Sequence, residues 1–272
     1  MKKKPDKNHC KLDVIKDATE QYQNRKKSTV SKRSGWILIL FAYLLGGGGM
    51  AVWGAFLFFG PFHIIDLDLG SSRRLVFNTL LCLIFFIQHS MMLRQWFRIF
   101  LTRFIPVAYH GVLYSVSSGT VLLVLVIFWQ PSVRFLPRIP MLYYGISILF
   151  VVVGIAGFIW SLQALSEFDA LGIAPAIRHI KGLPPDEPLA FVAQGPYLLV
   201  RHPLYFLSLL VIWAGPVTSV DRILHNILWT IWIYFGARLE EKDLVDCFGE
   251  PYKQYQASVP MLFPNFLAFK TK

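Results

Sequence analysis

Two groups of ionisable residues flank one apolar stretch near the C-terminus. Arg201-His202-Pro203-Leu204-Tyr205 opens it and Arg238-Leu239-Glu240-Glu241 closes it. Gly215-Pro216 breaks the stretch into two helices joined by a tight turn, which brings both groups to the same end of a helical hairpin. Charge at membrane depth is costly and tends to be kept where it binds something. Pro203 has no amide proton and suits a first helical turn, so Arg201 and His202 stand at a helix start. Free amides and the helix dipole favour an anion there, such as a carboxylate. Glu240 and Glu241 offer acceptors for hydroxyls or an amine, so the two groups together suit a zwitterion. A structural reading competes: Arg201 and His202 snorkel to lipid headgroups, and Glu240 pairs with Arg238 or Lys242 at the surface. Spacing alone leaves the two readings level.

The elements that must position these residues are membrane spans. Hydrophobic residues make up 55% of the 272 positions and charged residues 16%, against about a quarter charged in a soluble domain. Runs of roughly 20 apolar residues, enough to cross a bilayer as helix, cover Trp36 to Phe59, Leu75 to Met92, Val112 to Trp129 and Met141 to Leu162. The expected fold is an all-α integral membrane protein with four transmembrane helices and a C-terminal transmembrane helical hairpin. Its expected parts are a basic tail over 1–35, the four helices over 36–165, and a cofactor-binding loop, the hairpin and a C-terminal segment over 166–272.

Charge placement sets the orientation. Residues 1–35 hold 11 Lys/Arg against 4 Asp/Glu, most of the net +11, so the basic excess is a tail and not a nucleic-acid face. Lys2, Lys3, Lys4, Arg25, Lys26, Lys27, Lys32 and Arg33 precede the first span, and Arg94, Arg98 and Arg103 follow the second. Both segments then lie in the cytosol by the positive-inside rule, with the tail free to touch anionic lipid. The loop from Glu167 to Arg201 and both termini fall on that side too. The first apolar run is a retained span, since it lies far from Met1 and lacks a cleavage pattern.

Other residue patterns carry less. Gly46 to Gly49 lack the Lys-Ser/Thr ending and preceding strand of a phosphate loop, so they point to close helix packing. Cys10, Cys82 and Cys247 have no Cys-x-x-Cys spacing, which supports free thiols and neither a disulfide framework nor a zinc site. No metal is expected. His89, beside Gln88 and Ser90, is either hydrogen-bonded glue between helices or a neutral base able to deprotonate a thiol. Glu167 and Asp169 read as loop or helix-end residues.

Residues 195 to 264 resemble the isoprenylcysteine carboxyl methyltransferase and phospholipid methyltransferase superfamily. The resemblance rests on Gly195, Tyr197, Arg201-His202-Pro203, Tyr205, Glu240-Glu241, Phe248-Gly249, Tyr252, Tyr255, Val259-Pro260 and Pro264. Leu207 departs from it, standing where these enzymes often have glycine. The chain from about residue 85 is similar to the bacterial methanethiol S-methyltransferases, through Gln88-His89-Ser90-Met91, Arg94, Phe128-Trp129-Gln130-Pro131, Phe168-Asp169 and Arg238 to Leu244. Ala108-Tyr109-His110-Gly111 departs from the Glu-Arg-Ser expected there.

The resemblance implies S-adenosyl-L-methionine bound at the cytosolic face of the hairpin. Gly195, Tyr197 and Pro203 would shape that site, Arg201 and His202 would hold the methionine end, Tyr205 would wall it, and Glu240 and Glu241 would hold polar groups. Asp169 becomes a pocket candidate, and Arg201, His202 and His89 become the candidate catalytic residues. The implied reaction is methylation of a small thiol, methanethiol giving dimethyl sulfide, in a bacterial inner membrane. The same fold serving an isoprenylcysteine carboxylate or a phospholipid amine is the nearest alternative. A sterol-reductase-like enzyme using NADPH is the next, and Glu240-Glu241 argue against its phosphate-rich cofactor. The partners expected are the thiol and membrane lipid, and the oligomeric state is left open.

Overall fold

The computed structural model describes residues 31–134, 140–165, 169–184, 191–216 and 218–264. The basic tail up to residue 30 with Cys10, and Glu167, Phe168, Pro185 and Pro188, lie outside the described residues. The protein is an all-α membrane protein. Among the described residues, four helices are long and apolar enough to cross a membrane: α1 (Lys32–Phe59), α2 (Ser71–Leu93), α4 (His110–Phe128, led in by a tight turn at Val107–Tyr109) and α5 (Met141–Ala164). The short α3 (Gln95–Leu101) follows α2, and α6 (Ala174–Lys181) follows α5. The hairpin is α7 (Pro203–Ala214) and α8 (Val220–Phe248), and α9 (Glu250–Ser258) ends the described helices.

Apolar surface gains little by moving from lipid to another helix, so contact has to come from shape and from buried hydrogen bonds. Small residues supply the first. A Cβ at Gly49 would lie 2.7 Å from the Gly119 carbonyl oxygen, and one at Gly46 would lie 3.1 Å from Ser115. The glycine run therefore lets α1 and α4 touch backbone to backbone, and α1 passes through a π turn at Ala42–Gly47 along that contact. On α5, Gly157 and Gly154 receive Leu207 and Val211 of α7. That seat explains the Leu207 departure: its buried side chain is accommodated by a glycine on the neighbouring helix.

Buried polar groups supply the second. Asp221, 1% exposed, accepts from Trp129 Nε1 at 2.8 Å and from Ser132 N and Oγ at 2.9 and 2.6 Å. Asn78 exchanges two hydrogen bonds with the backbone of Gln130, and Arg222 donates to the Leu57 carbonyl. These bonds tie the starts of α2 and α8 to the ends of α1 and α4, at the far end of the bundle from Arg201. Between the two ends, Phe85, Phe86, Leu122, Leu125, Trp229 and Ile233 form the apolar core.

The hairpin is unequal. At about 1.5 Å per residue, the 12 residues of α7 and 29 of α8 span about 18 and about 43 Å. α7 falls short of the roughly 30 Å hydrocarbon core, and α8 runs well past the start of α7. The turn Arg201-His202 is thus set against the flank of α8. One cysteine expectation is corrected here: Cys82 is free and buried, but Cys247 is disulfide-bonded.

Candidate functional site

Local backbone chemistry fixes the start of α7. Gly195 has φ +58 and faces Trp160 and Ala164, a left-handed position that favours glycine. The turn it opens, Gly195–Leu198, carries Tyr197, whose carbonyl accepts from Tyr255 Oη at 2.5 Å. Pro203 occupies the first helical position after His202. The amides of Arg201 and His202 donate to the carbonyls of Pro260 (2.9 Å) and Met261 (3.0 Å), so the segment after α9 is strapped across the turn.

The charged groups meet as expected from the hairpin, but chiefly with one another. Arg201 Nε donates to Glu241 Oε1 at 2.5 Å, and Nη1 donates to the carbonyls of Gln256 (2.8 Å) and Val259 (2.5 Å). Gln256 Nε2 donates to the other Glu241 oxygen at 3.2 Å. Glu241 and Arg201 are therefore a buried, hydrogen-bonded pair. His202 lies 3.4 Å from Glu241 and 3.8 Å from Glu240, within electrostatic reach. Neither contact is a hydrogen bond in length and alignment, and the buried Nε2 has no hydrogen-bond partner among the described residues. Burial holds its pKa below the ordinary value, against the pull of the two carboxylates. Its ring stacks on Tyr205, with centroids 5.3 Å apart and planes within 5°. Burial also raises the phenols of Tyr197, Tyr252 and Tyr255, the last to about 12.

In front of this cluster is a cavity of about 400 Å³ between α2 and α8. From α2 and its end come His89, Ser90, Leu93 and Arg94, and from α7 comes Tyr205. From α8 come Trp232, Ile233, Gly236, Glu240 and Asp243. Tyr205 Oη donates to Glu240 Oε2 at 2.6 Å, and Glu240 is 45% exposed. His89 Nε2 is 2.5 Å from Tyr114 Oη, and its ring also meets Phe85 and Trp232.

Of the sequence-derived candidates, His89, Tyr205 and Glu240 line the cavity. Arg201, His202 and Glu241 form the buried cluster beside it, and Gly195, Tyr197 and Pro203 build the turn that holds them. Asp169 is outside the cavity lining and accepts from the amides of Leu171 (3.2 Å) and Ala174 (2.5 Å), so it caps the start of α6. Sequence reasoning passed over Tyr114, Trp232 and Gly236. Only the four-residue spacing of Trp232, Gly236 and Glu240 along one helix face could have signalled the last two.

The chain is 32% identical over 204 residues to methanethiol S-methyltransferase 1 of Bradyrhizobium diazoefficiens, an alignment covering 72% of this chain and 69% of that protein. It belongs to the methanethiol S-methyltransferase family. A methanethiol S-methyltransferase from a Pseudomonas species is 35% identical, over 69% of this chain and 72% of its own. Nurim of Rattus norvegicus is 25% identical, over 65% and 70%. No family model and no solved structure matches. Two stretches behind the sequence resemblance serve different ends: Trp129-Gln130 brace the far end of the bundle, while Glu240 lines the cavity and Glu241 holds Arg201.

Proposed function

We propose that this membrane protein transfers the methyl group of S-adenosyl-L-methionine to methanethiol, giving dimethyl sulfide, in the cavity between α2 and α8. The observation that carries the reading is the union, in one small cavity, of a carboxylate at Glu240 with an apolar aromatic floor at Trp232, in a chain of this family.

The residues present fit such a donor. Glu240 is half-exposed at the cavity and, among the described residues, accepts one hydrogen bond, from Tyr205, so it can accept from an ammonium or ribose hydroxyls. His202 Nε2 is a buried nitrogen still lacking a hydrogen bond beside it. Tyr205, at the Glu240 end, offers a ring face to a sulfonium cation. When bound, the donor would supply a sulfonium methyl group: a new bond from the thiolate sulfur to the methyl carbon would form as the carbon's bond to the donor sulfur breaks, leaving both sulfurs as uncharged thioethers.

The chain's own residues do the rest. His89 takes the thiol proton on a ring nitrogen, and Tyr114 steadies the imidazole. The Arg201–Glu241 pair fixes the start of α7 so that Tyr205 and Glu240 keep their positions. The apolar side at Trp232 and Ile233 limits water around the thiol, which favours a reaction in which opposite charges cancel, and alignment of the two reactants lowers the barrier further. The active site and both termini face the cytosol of a bacterial inner membrane, in line with the Arg/Lys placement.

The test is methyl-labelled donor added to membranes holding the protein, with methanethiol, a farnesylcysteine analogue or phosphatidylethanolamine offered in turn. Label in headspace dimethyl sulfide supports the proposal. Label only in the prenylated or phospholipid product replaces the acceptor.

A further inference from the structure

Trp232, Gly236 and Glu240 follow one another at i, i+4 and i+8 on α8, so they share one face, and all three line the cavity. From Trp232 to Glu240 is about 12 Å at the helical rise. One end of this stripe is fixed and apolar. Trp232 Nε1 donates to Ser90 Oγ at 3.1 Å, and its ring stacks on Phe86 with centroids 4.8 Å apart and planes within 9°. The other end is the Glu240 carboxylate, held by Tyr205. Between them is a notch, because a Cβ at Gly236 would meet no heavy atom within 4 Å.

That order sorts two reactants. A cationic donor is drawn to Glu240, and an uncharged alkyl group is drawn to the tryptophan end. Leu93 flanks the cavity on α2 and is 53% exposed, so an apolar molecule can reach it from lipid. Resting on the thiol methyltransferase reading, we infer that the Gly236 notch above Trp232 is the acceptor subsite, built for a short uncharged alkyl thiol. Trp232 is its floor and limits the length of the alkyl chain. Gly236 keeps its side wall open.

The experiment compares kcat/KM for methanethiol, ethanethiol and butanethiol in the full-length protein, its Gly236→Val variant and its Trp232→Leu variant, with S-adenosyl-L-methionine affinity measured in each. Selectivity ratios do not depend on the fraction of protein folded, and Gly236→Ala and Trp232→Phe repeat the comparison with milder changes. One methylene is worth about 10-fold or more in a fitted apolar pocket. Gly236→Val should therefore lower ethanethiol and butanethiol relative to methanethiol by about 10-fold or more, with donor affinity unchanged. Trp232→Leu should raise butanethiol relative to methanethiol by a similar factor. Wild-type ratios in all four variants, or a loss of donor affinity without a change in ratio, overturn the subsite while leaving the methyltransferase reading in place. A wild-type protein that methylates none of the three thiols overturns that reading and the subsite with it.

Discussion

Arg201 reaches Glu241 across 2.5 Å, with 10% and 8% of the two side chains exposed, and joins the start of α7 to the flank of α8. Such a pair is costly to break and of modest net value as a whole, because removing one partner strands a buried charge. Arg201→Ala and Glu241→Gln should each lower stability in detergent by about 3 to 5 kcal/mol. The Arg201→Met/Glu241→Leu double variant should lose much less than the sum. A double-mutant cycle read by thermal unfolding checks this, and strictly additive losses would mean that the two side chains are not coupled.

His202 carries a pH signature. Its pKa is held below the ordinary value of about 6.5 by burial, so the folded state resists protonation that the unfolded chain accepts. Stability from this source is present above about pH 6.5 and declines as pH falls toward the depressed folded value. His202→Asn should reduce the drop in unfolding midpoint between pH 7 and pH 5. An identical drop in both proteins would assign the acid sensitivity elsewhere.

The membrane spans were legible because a water-soluble fold seldom buries an uninterrupted apolar run of bilayer length on every face. The helices extend past those runs where polar residues continue them: α1 begins at Lys32 and α2 at Ser71, both invisible to hydropathy. Gly215-Pro216 marked the hairpin turn. The inner organisation of the site was less legible. Arg201 and Glu241 were placed at one end of the hairpin by sequence, but their choice of each other over a ligand depends on the carbonyls of Gln256 and Val259, which come from a distant segment. Trp232 lies in the apolar stretch of α8 from Ile227 to Gly236 and Tyr114 in the mostly apolar α4, where periodicity does not separate a cavity wall from a lipid-facing surface.

His89 should leave its mark on the pH–rate profile. If it removes the thiol proton, His89→Asn should lower kcat at pH 7 by about 100-fold or more. Its rate should then climb about tenfold per pH unit below the thiol's own pKa, while the wild type levels off earlier. Tyr114→Phe should lie between the two. Parallel profiles for wild type and His89→Asn would return His89 to a packing role against Tyr114, Phe85 and Trp232.

Topology can be tested separately from chemistry. Reporter fusions at Lys272 and ahead of Lys32 should both report the cytosol, as the positive-inside rule requires of this Arg/Lys distribution. A C-terminus outside the cytosol would mean that α7 and α8 do not together return the chain to its starting side.

The most direct measurement is a titration of the purified protein and its Glu240→Gln variant with S-adenosyl-L-methionine and, separately, with NADPH. Glu240 is half-exposed and, among the described residues, has one hydrogen bond, from Tyr205, so the substitution should leave folding nearly unchanged while removing a charged contact worth about 1.5 to 3 kcal/mol. The expected result is saturable binding of S-adenosyl-L-methionine, weakened by about 10- to 100-fold in the variant, with no binding of NADPH. Saturable NADPH binding with none of S-adenosyl-L-methionine, or donor affinity indifferent to Glu240→Gln, would contradict the account.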